Sequence, residues 1–231
     1  MATRHYHGVV AAVAAVGVAL LLIFIVRPEL ANRSDEKFKT YIDKGLTPEM
    51  RAEYDVRIAT LKASIAADEK PDIVKLLRLG NLYYQTGELG LAKQEYNAIL
   101  AINPKDAAAL ENLGQTLADM GDVSGAEARW LQALEESAQI VTVTRLVDLI
   151  NESIPEHKDR VGKILELAVE QFGQDLSLVV RLGHWYREGG DYVRAQSHYE
   201  VAKQISSTTD YDELIEEMRQ LSIEKRQEAT P

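Results

Sequence analysis

The chain has 231 residues with 36 acidic and 26 basic side chains, a net charge of −10 and no cysteine. This acidic balance argues against nucleic acid as a partner, because proteins that bind nucleic acid need a basic face to neutralise phosphates. The lack of cysteine excludes disulfides, thiolate catalysis and cysteine-ligated metals.

Residues 8–26 form an uninterrupted run without a charged or strongly polar side chain. A helix of that length is about 28 Å long, close to the hydrocarbon core of a bilayer. We expect residues 1–28 to be an N-terminal tail and a single-pass membrane anchor, most simply in a bacterial inner membrane. A buried core helix and a cleaved signal peptide are the alternatives, and Glu29 is a poor residue two positions before a cleavage at Ala31.

The charges around this run do not agree on which side of the membrane the rest of the chain occupies. Basic residues after the run outnumber those before it, and they are Arg27, Arg33, Lys37 and Lys39. The positive-inside rule keeps the body in the cytoplasm. A very short N-terminal tail instead favours a signal anchor that exports the body, so the membrane face stays open.

Residues 29–70 are expected to be helical, either as a linker that holds the domain off the membrane or as a degenerate leading repeat. A short apolar stripe comes first, with Phe38, Tyr41, Ile42 and Leu46. Thr47-Pro48-Glu49 then predicts a helix start, with a capping hydroxyl, a proline whose missing N–H costs nothing and an acid facing the dipole. An amphipathic face follows at three- and four-residue steps: Met50, Tyr54, Ile58, Leu61 and Ile65.

A set of four residues then returns at a fixed period. Its members are Gly80, Gly87, Ala92 and Tyr96, then 34 positions later Gly114, Gly121, Ala126 and Trp130, and two periods plus one residue further Gly183, Gly190, Ala195 and Tyr199. A fixed period of this length indicates stacked helical repeats. We therefore expect an all-α solenoid of antiparallel helix pairs over residues 71–207, preceded by the transmembrane helix.

We place the repeats at about 73–106, 107–140, 141–175 and 176–207. The third is degenerate, because Asp148 stands where the glycine belongs and Pro155 takes the turn.

Residues 208–231 are expected to form a C-terminal capping helix and tail. Asp210 and Glu213 have the spacing of a capping box at its start. The helix has one narrow apolar edge, and nearly all of its other side chains are charged. The terminal helix of a repeat array needs such a polar outer face to stay soluble.

These residues resemble the tetratricopeptide repeat, over residues 73–207. The family pattern wants a bulky residue, then Leu-Gly, an aromatic, a turn glycine, alanine, an aromatic, alanine and proline, and the first repeat departs from it only at Ile99. The small residues allow the two helices of a repeat to approach closely, and the second aromatic fills the space between repeats.

The resemblance implies a concave groove, lined by the first helix of each repeat, that binds a peptide or a helix. Asn81 and Asn112 match two asparagines of the subfamily that binds chaperone tails, where an amide can grip a ligand backbone. That subfamily also clamps a terminal carboxylate with basic residues, whereas this chain has Leu77, Thr142 and Leu146 at those positions. An acidic chaperone tail is therefore not expected. The candidate binding residues are Leu77, Asn81, Tyr84, Asn112, Gln115, Arg181 and His184, with Arg187 beside them.

Catalysis, metals and cofactors are not expected. The chain has no HExxH, phosphate loop, GxSxG or dinucleotide fingerprint. His184 and His198 lie on different helices of the last repeat, without a carboxylate at metal-ligand spacing. We therefore expect that this protein is not an enzyme.

Two functions fit the sequence. The first is a membrane-anchored scaffold or adaptor that binds a protein or peptide in its groove, in the assembly or chaperoning of envelope or membrane proteins. The second is a structural accessory subunit of a membrane complex, held by its span, in which Ala11, Ala12, Ala14, Ala15 and Gly17 permit close helix packing. Self-association into a homo-oligomer stays open.

Overall fold

The computed structural model describes residues 38–228, which fall into two compact units, residues 38–138 and 139–228. Within residues 38–228 there are ten α-helices, one 3-10 helix and no strand, so the all-α expectation is confirmed. The N-terminal unit contains α1 (Pro48–Ala66), α2 (Ile73–Gln85), α3 (Leu89–Ile102), α4 (Ala107–Met120) and α5 (Val123–Glu136). The C-terminal unit contains α6 (Ile140–Ser153), α7 (Lys158–Phe172), α8 (Leu176–Glu188), α9 (Tyr192–Ser206) and α10 (Asp212–Glu228), with the 3-10 helix Pro155–His157 after α6.

Aspartates start most of the repeat helices. Their side chains accept hydrogen bonds from amides of the first turn at Asp72 (α2), Asp106 (α4), Asp122 (α5), Asp175 (α8) and Asp191 (α9). The first amides of a helix have no partner within it, so each aspartate satisfies a donor that would otherwise be lost. This local chemistry separates the chain into short helices that fold back on one another as α2 on α3, α4 on α5 and α8 on α9.

The periodic glycines and aromatics explain why those helices lie so close together. A Cβ atom on Gly80 of α2 would lie 2.6 Å from Cε1 of Tyr96 on α3, and Tyr96 is buried. The same contact joins Gly114 to Trp130 and Gly183 to Tyr199. Each aromatic ring thus occupies the space that a side chain on its glycine would need.

The degenerate third repeat uses a different small residue. A Cβ atom on Gly162 of α7 would lie 2.4 Å from Cη2 of Trp185 on α8, so Trp185 packs against the backbone of α7. Asp148, in the place of the missing glycine, pairs with Arg181 of α8.

Residues 38–46, called the strap below, form no helix, so the predicted helical character of residues 29–70 is wrong for this part. Three backbone hydrogen bonds tie the strap to the turns of the first two repeats: Lys39 N to Met120 O (3.0 Å), Ile42 N to Gly87 O (3.0 Å) and Gly90 N to Thr40 O (2.9 Å). The apolar residues of the strap, Phe38, Tyr41, Ile42 and Leu46, have the spacing of a helix face, which is why the sequence predicted a helix here. The strap's backbone groups are instead satisfied by distant loops.

Gly87 makes this contact possible. Its φ is +83°, which a glycine adopts without strain, and a Cβ atom there would lie 1.9 Å from the carbonyl oxygen of Ile42. The glycine that turns the first repeat therefore also lets the strap approach.

The predicted start of α1 is confirmed. Thr47 Oγ1 accepts a hydrogen bond of 3.3 Å from Met50 N, and Pro48 is the first helical residue. The helix packs on α2 but has no fully buried side chain, so its amphipathic face is only partly covered. Arg51 fixes its first turn to the first repeat through Thr86 O (3.1 Å) and Glu88 (2.5 Å).

The final helix, α10, begins at Asp212, one residue later than a capping box with Asp210 as the N-cap implies. The bonds at this turn are made by Thr208 Oγ1, which accepts from Asp210 N, and by Asp212, which pairs with Lys203 at 2.5 Å. Met218 is the buried residue of α10, and Arg187 of α8 reaches Glu217 at 2.6 Å.

No helix within residues 38–228 is both long and apolar enough to cross a bilayer. The predicted span, residues 8–26, lies outside the described residues.

Candidate protein-binding site

The predicted binding residues fall in both units. Five of them, Leu77, Asn81, Tyr84, Asn112 and Gln115, lie on α2 and α4 of the N-terminal unit and are called the groove surface below. Arg181 and His184 lie on α8 of the C-terminal unit.

Asn81 is the centre of the groove surface. Its Oδ1 accepts a hydrogen bond of 2.7 Å from the hydroxyl of Tyr96 and another of 3.1 Å from Nδ2 of Asn112. The two asparagines that sequence reasoning paired as ligand grips are therefore bonded to each other. Nδ2 of Asn81 has no hydrogen bond to any described residue, so this donor faces outward.

A second set of bonds joins Tyr84 to Gln115. The Tyr84 hydroxyl donates to Asp119 Oδ2 at 2.9 Å, and Gln115 Nε2 donates to Asp119 Oδ1 at 3.0 Å. Lys44 of the strap lies 3.4 Å from the same carboxylate and 4.4 Å from the centroid of the Tyr84 ring. The strap thus contacts one end of the groove surface. Sequence reasoning missed Asp119 and Lys44, because only the fold brings the strap to this end of α4.

A cleft of about 720 Å³ opens beside Asn81, between α1 and α2. It is called the leading cleft below, and its lining consists of Val56, Arg57, Thr60, Leu61, Ser64, Arg78, Asn81, Leu82 and Gln85. The volume lies within the range of roughly 300–1,000 Å³ that is usual for ligand sites. Leu77, a turn before Asn81, is half-buried and does not line the cleft. The cleft was not predicted, because it depends on how the partly covered α1 packs on α2.

The candidate residues of the C-terminal unit are engaged within it. Arg181 forms an ion pair with Asp148, with Nη2 3.0 Å from Oδ2. His184 Nδ1 lies 2.9 Å from the Tyr199 hydroxyl, the same arrangement that Asn81 makes with Tyr96. Partial burial lowers the pKa of His184, which favours the neutral imidazole in this hydrogen bond.

The described residues contain no group of three or more histidines, cysteines or acids that could hold a metal ion. Burial raises the pKa of Tyr96, because the charged phenolate would be desolvated there. The expectation that the chain is not an enzyme stays a prediction.

Comparison with known proteins supports the repeat fold. Residues 80–121 match a family model described as a TPR repeat, that is, a tetratricopeptide repeat. No curated protein matches the chain.

Solved structures show the same fold over a larger part of the chain. A crystal structure of MamA is 19% identical, covers 72% of this chain and 96% of its own, and has a TM-score of 0.58. The crystal structure of YrrB, described as a TPR protein with an unusual peptide-binding site, is 18% identical, covers 64% of this chain and 75% of its own, and has a TM-score of 0.53. Identities this low show the fold alone. The predicted tetratricopeptide-type helical fold is confirmed.

Proposed function

We propose that this chain is a membrane-anchored tetratricopeptide scaffold that binds a protein or peptide partner on its groove surface. The observation that supports this most directly is the contiguity of that surface. Side chains predicted from the repeat pattern are joined by hydrogen bonds across α2 and α4, from Asn81 to Asn112 and from Tyr84 through Asp119 to Gln115. Such pre-arranged polar groups reduce the ordering that a ligand must impose when it binds.

The strap gives a second line of support. The turns of the first two repeats already bind a segment of non-helical chain through backbone groups at Gly87, Gly90 and Met120. These turns can therefore hold extended backbone, although a partner's backbone could use the same groups only by displacing the strap.

The proposal of a membrane anchor rests on the apolar run of residues 8–26, and the proposed process rests on the combination of that run with a repeat domain. The proposed setting is the assembly or chaperoning of envelope or membrane proteins at a bacterial inner membrane. Tethering would raise the local concentration of a bound partner near a membrane machine.

The test is a crosslinked purification from membranes with the wild type, Asn112→Ala and Asn97→Ala. Asn112 is chosen because its loss leaves the Asn81–Tyr96 hydrogen bond in place. Asn97 is an exposed asparagine on α3 and serves as the matched control. We expect partners to be captured by the wild type and by Asn97→Ala and to be depleted with Asn112→Ala. Equal capture by all three proteins would exclude the groove surface as the working surface.

The second candidate, a structural subunit held by its span, is favoured by the small residues at positions 11–17. Exchanging residues 8–26 for an unrelated span separates the two functions. An adaptor would keep its partners, whereas a subunit would lose its fixed stoichiometry in the complex.

The membrane face can be settled because the chain has no cysteine. A cysteine introduced by Glu224→Cys on the exposed side of α10 should react with an impermeant maleimide on intact cells only if the repeats are exported.

A further inference from the structure

We propose that the leading cleft binds a peptide segment of a partner protein that carries a carboxylate next to an aliphatic side chain. This inference rests on the protein-binding function proposed above and specifies the chemistry of its ligand. The carboxylate is placed at a different site from the clamp that the sequence lacks, because none of Leu77, Thr142 and Leu146 lines the leading cleft. The cleft combines cationic and apolar side chains with an outward-facing amide, and each favours a different part of such a peptide.

The cationic part consists of Arg57 from α1 and Arg78 from α2. No acidic residue lines the cleft, and neither arginine forms an ion pair with a described residue. Three other basic side chains of the N-terminal unit do have acidic partners: Lys44 pairs with Asp119, Arg51 with Glu88 and Lys75 with Asp68. The cleft therefore holds two guanidinium groups that form no ion pair with a described acid, in a chain whose net charge is −10. Arg57 also lies 5.3 Å from the centroid of the Tyr54 ring, a contact that leaves its charge in place.

A carboxylate is the ligand group that this pair fits best. The guanidinium presents a planar fork of donors that matches the two oxygens of a carboxylate, and charge-assisted hydrogen bonds of this kind are stronger than neutral ones. The outward-facing Nδ2 of Asn81 adds a neutral donor at the same cleft, suited to a carboxylate or to a peptide carbonyl.

The apolar part selects the neighbouring side chain. Val56 has 67% of its surface exposed although it lines the cleft, and Leu61 and Leu82 lie in the same lining. An aliphatic side chain that covers Val56 would remove apolar surface from water on both partners. Lysine or arginine on the ligand would be repelled by Arg57 and Arg78, which gives the cleft a means of rejecting basic peptides.

Another open depression in the structure lacks this combination. The one at the turn between α9 and α10 contains Lys203, but this lysine is already paired with Asp212 at 2.5 Å. Its charge is therefore neutralised within the chain, whereas the charge of the leading cleft is not.

The test is peptide selection on the full-length chain in detergent, using a random peptide library displayed on phage. Enriched peptides are synthesised, and their Kd is measured for the wild type, for Arg57→Gln/Arg78→Gln and for Arg219→Gln/Arg226→Gln. The last variant removes the same charge from α10 and is the matched control. Both arginines of the cleft are exposed, so the cleft variant should fold, which its denaturation midpoint checks.

We expect the enriched peptides to contain Asp, Glu or a free C-terminus beside an aliphatic residue. Their Kd should rise about tenfold for the cleft variant and stay within about twofold for the control. Replacing the peptide acid by its amide should weaken binding to the wild type by a similar factor and leave binding to the cleft variant unchanged.

Enriched peptides without acids, or peptides that bind the cleft variant as tightly as the wild type, would overturn the inference. The proposed function would survive that result if the same peptides are weakened by Asn112→Ala. If no peptide binds the wild type, both the inference and the peptide-binding form of the proposed function fail.

Discussion

Nδ2 of Asn112 donates a hydrogen bond of 3.1 Å to Oδ1 of Asn81, and the same oxygen accepts the hydroxyl of Tyr96 at 2.7 Å. One amide oxygen therefore joins the two helices of the first repeat and also joins that repeat to the next. A residue chosen as a ligand contact is at the same time a structural residue. Loss of binding after its substitution is informative only if the fold is measured alongside.

The substitution Asn81→Ala should lower the free energy of unfolding by about 1–3 kcal/mol, because it leaves the hydroxyl of the buried Tyr96 without a partner. Denaturant titration followed by circular dichroism measures the loss. In a Tyr96→Phe background the same substitution should cost clearly less, since no hydroxyl is stranded. Equal losses in both backgrounds would mean that this hydrogen bond contributes little.

Adding a methyl group at the close contacts between helices should also destabilise the protein. Gly114→Ala would place Cβ 2.6 Å from Nε1 of Trp130 and Gly183→Ala 2.9 Å from Cε1 of Tyr199, so we expect losses of about 1–3 kcal/mol, with the larger loss at Gly114. Thermal and denaturant midpoints test this order. A stabilising effect of Gly114→Ala, as for a glycine in an open helix, would show that Trp130 moves away freely.

The strap should detach when Gly87 acquires a side chain. Gly87→Ala would place Cβ 1.9 Å from the carbonyl oxygen of Ile42, in addition to the strain of a positive φ. We expect faster hydrogen exchange at the amides of Lys39, Ile42 and Gly90.

Gly121→Ala provides the matched control. Gly121 has a similar φ of +88°, but nothing lies within 4 Å of its Cβ position. It should therefore show the strain without the release of the strap. Equal protection of the Ile42 amide in both variants would contradict the role given to Gly87.

Acid should weaken the C-terminal unit through two histidines, His184 and His198, whose rings pack on Tyr199 and Tyr186. Desolvation lowers the pKa of both His184 and His198 below the ordinary value of 6.5. A base whose pKa is lowered by folding takes up its proton first in the unfolded chain, so stability falls as the pH drops through about 6.5 towards the lower pKa of the folded state.

The neighbouring charges act in both directions. Arg187 and Arg181 add to the lowering at His184, whereas Glu188 opposes it there and Glu166 opposes it at His198. We expect His184→Gln/His198→Gln to lose less stability than the wild type between about pH 7.5 and pH 5.5, measured as the shift in urea midpoint. A larger loss of stability in the variant than in the wild type would show that the two histidines stabilise the folded state in acid, contrary to this prediction.

The repeat helices could be predicted because their determinants are local and periodic. Gly80 and Tyr96 lie within one repeat, and aspartates such as Asp72 begin helices by bonding to amides two or three residues away. The hydrogen bond between Asn81 and Asn112 could not be predicted from the sequence. The two residues are 31 positions apart, and only the packing of α2 beside α4 brings their side chains together.

The strap and the leading cleft depend entirely on tertiary structure. Lys44 meets Asp119 across 75 positions of sequence, and the apolar spacing of Tyr41 and Ile42 imitates a helix. Arg57 and Arg78 look like ordinary solvated charges in the sequence. They become candidates for binding a ligand only because the packing of α1 on α2 places both at one cleft that no acidic residue lines.

The direction of the strap has a mechanical consequence. Its backbone bonds run from Met120 of the second repeat, at Lys39, back to Gly87 of the first repeat, at Ile42, before α1 begins. A pulling force applied to the chain ahead of residue 38 therefore loads the second repeat and the strap before it reaches α1. These hydrogen bonds would have to break before tension at the N-terminal end could move α1, which forms one wall of the leading cleft.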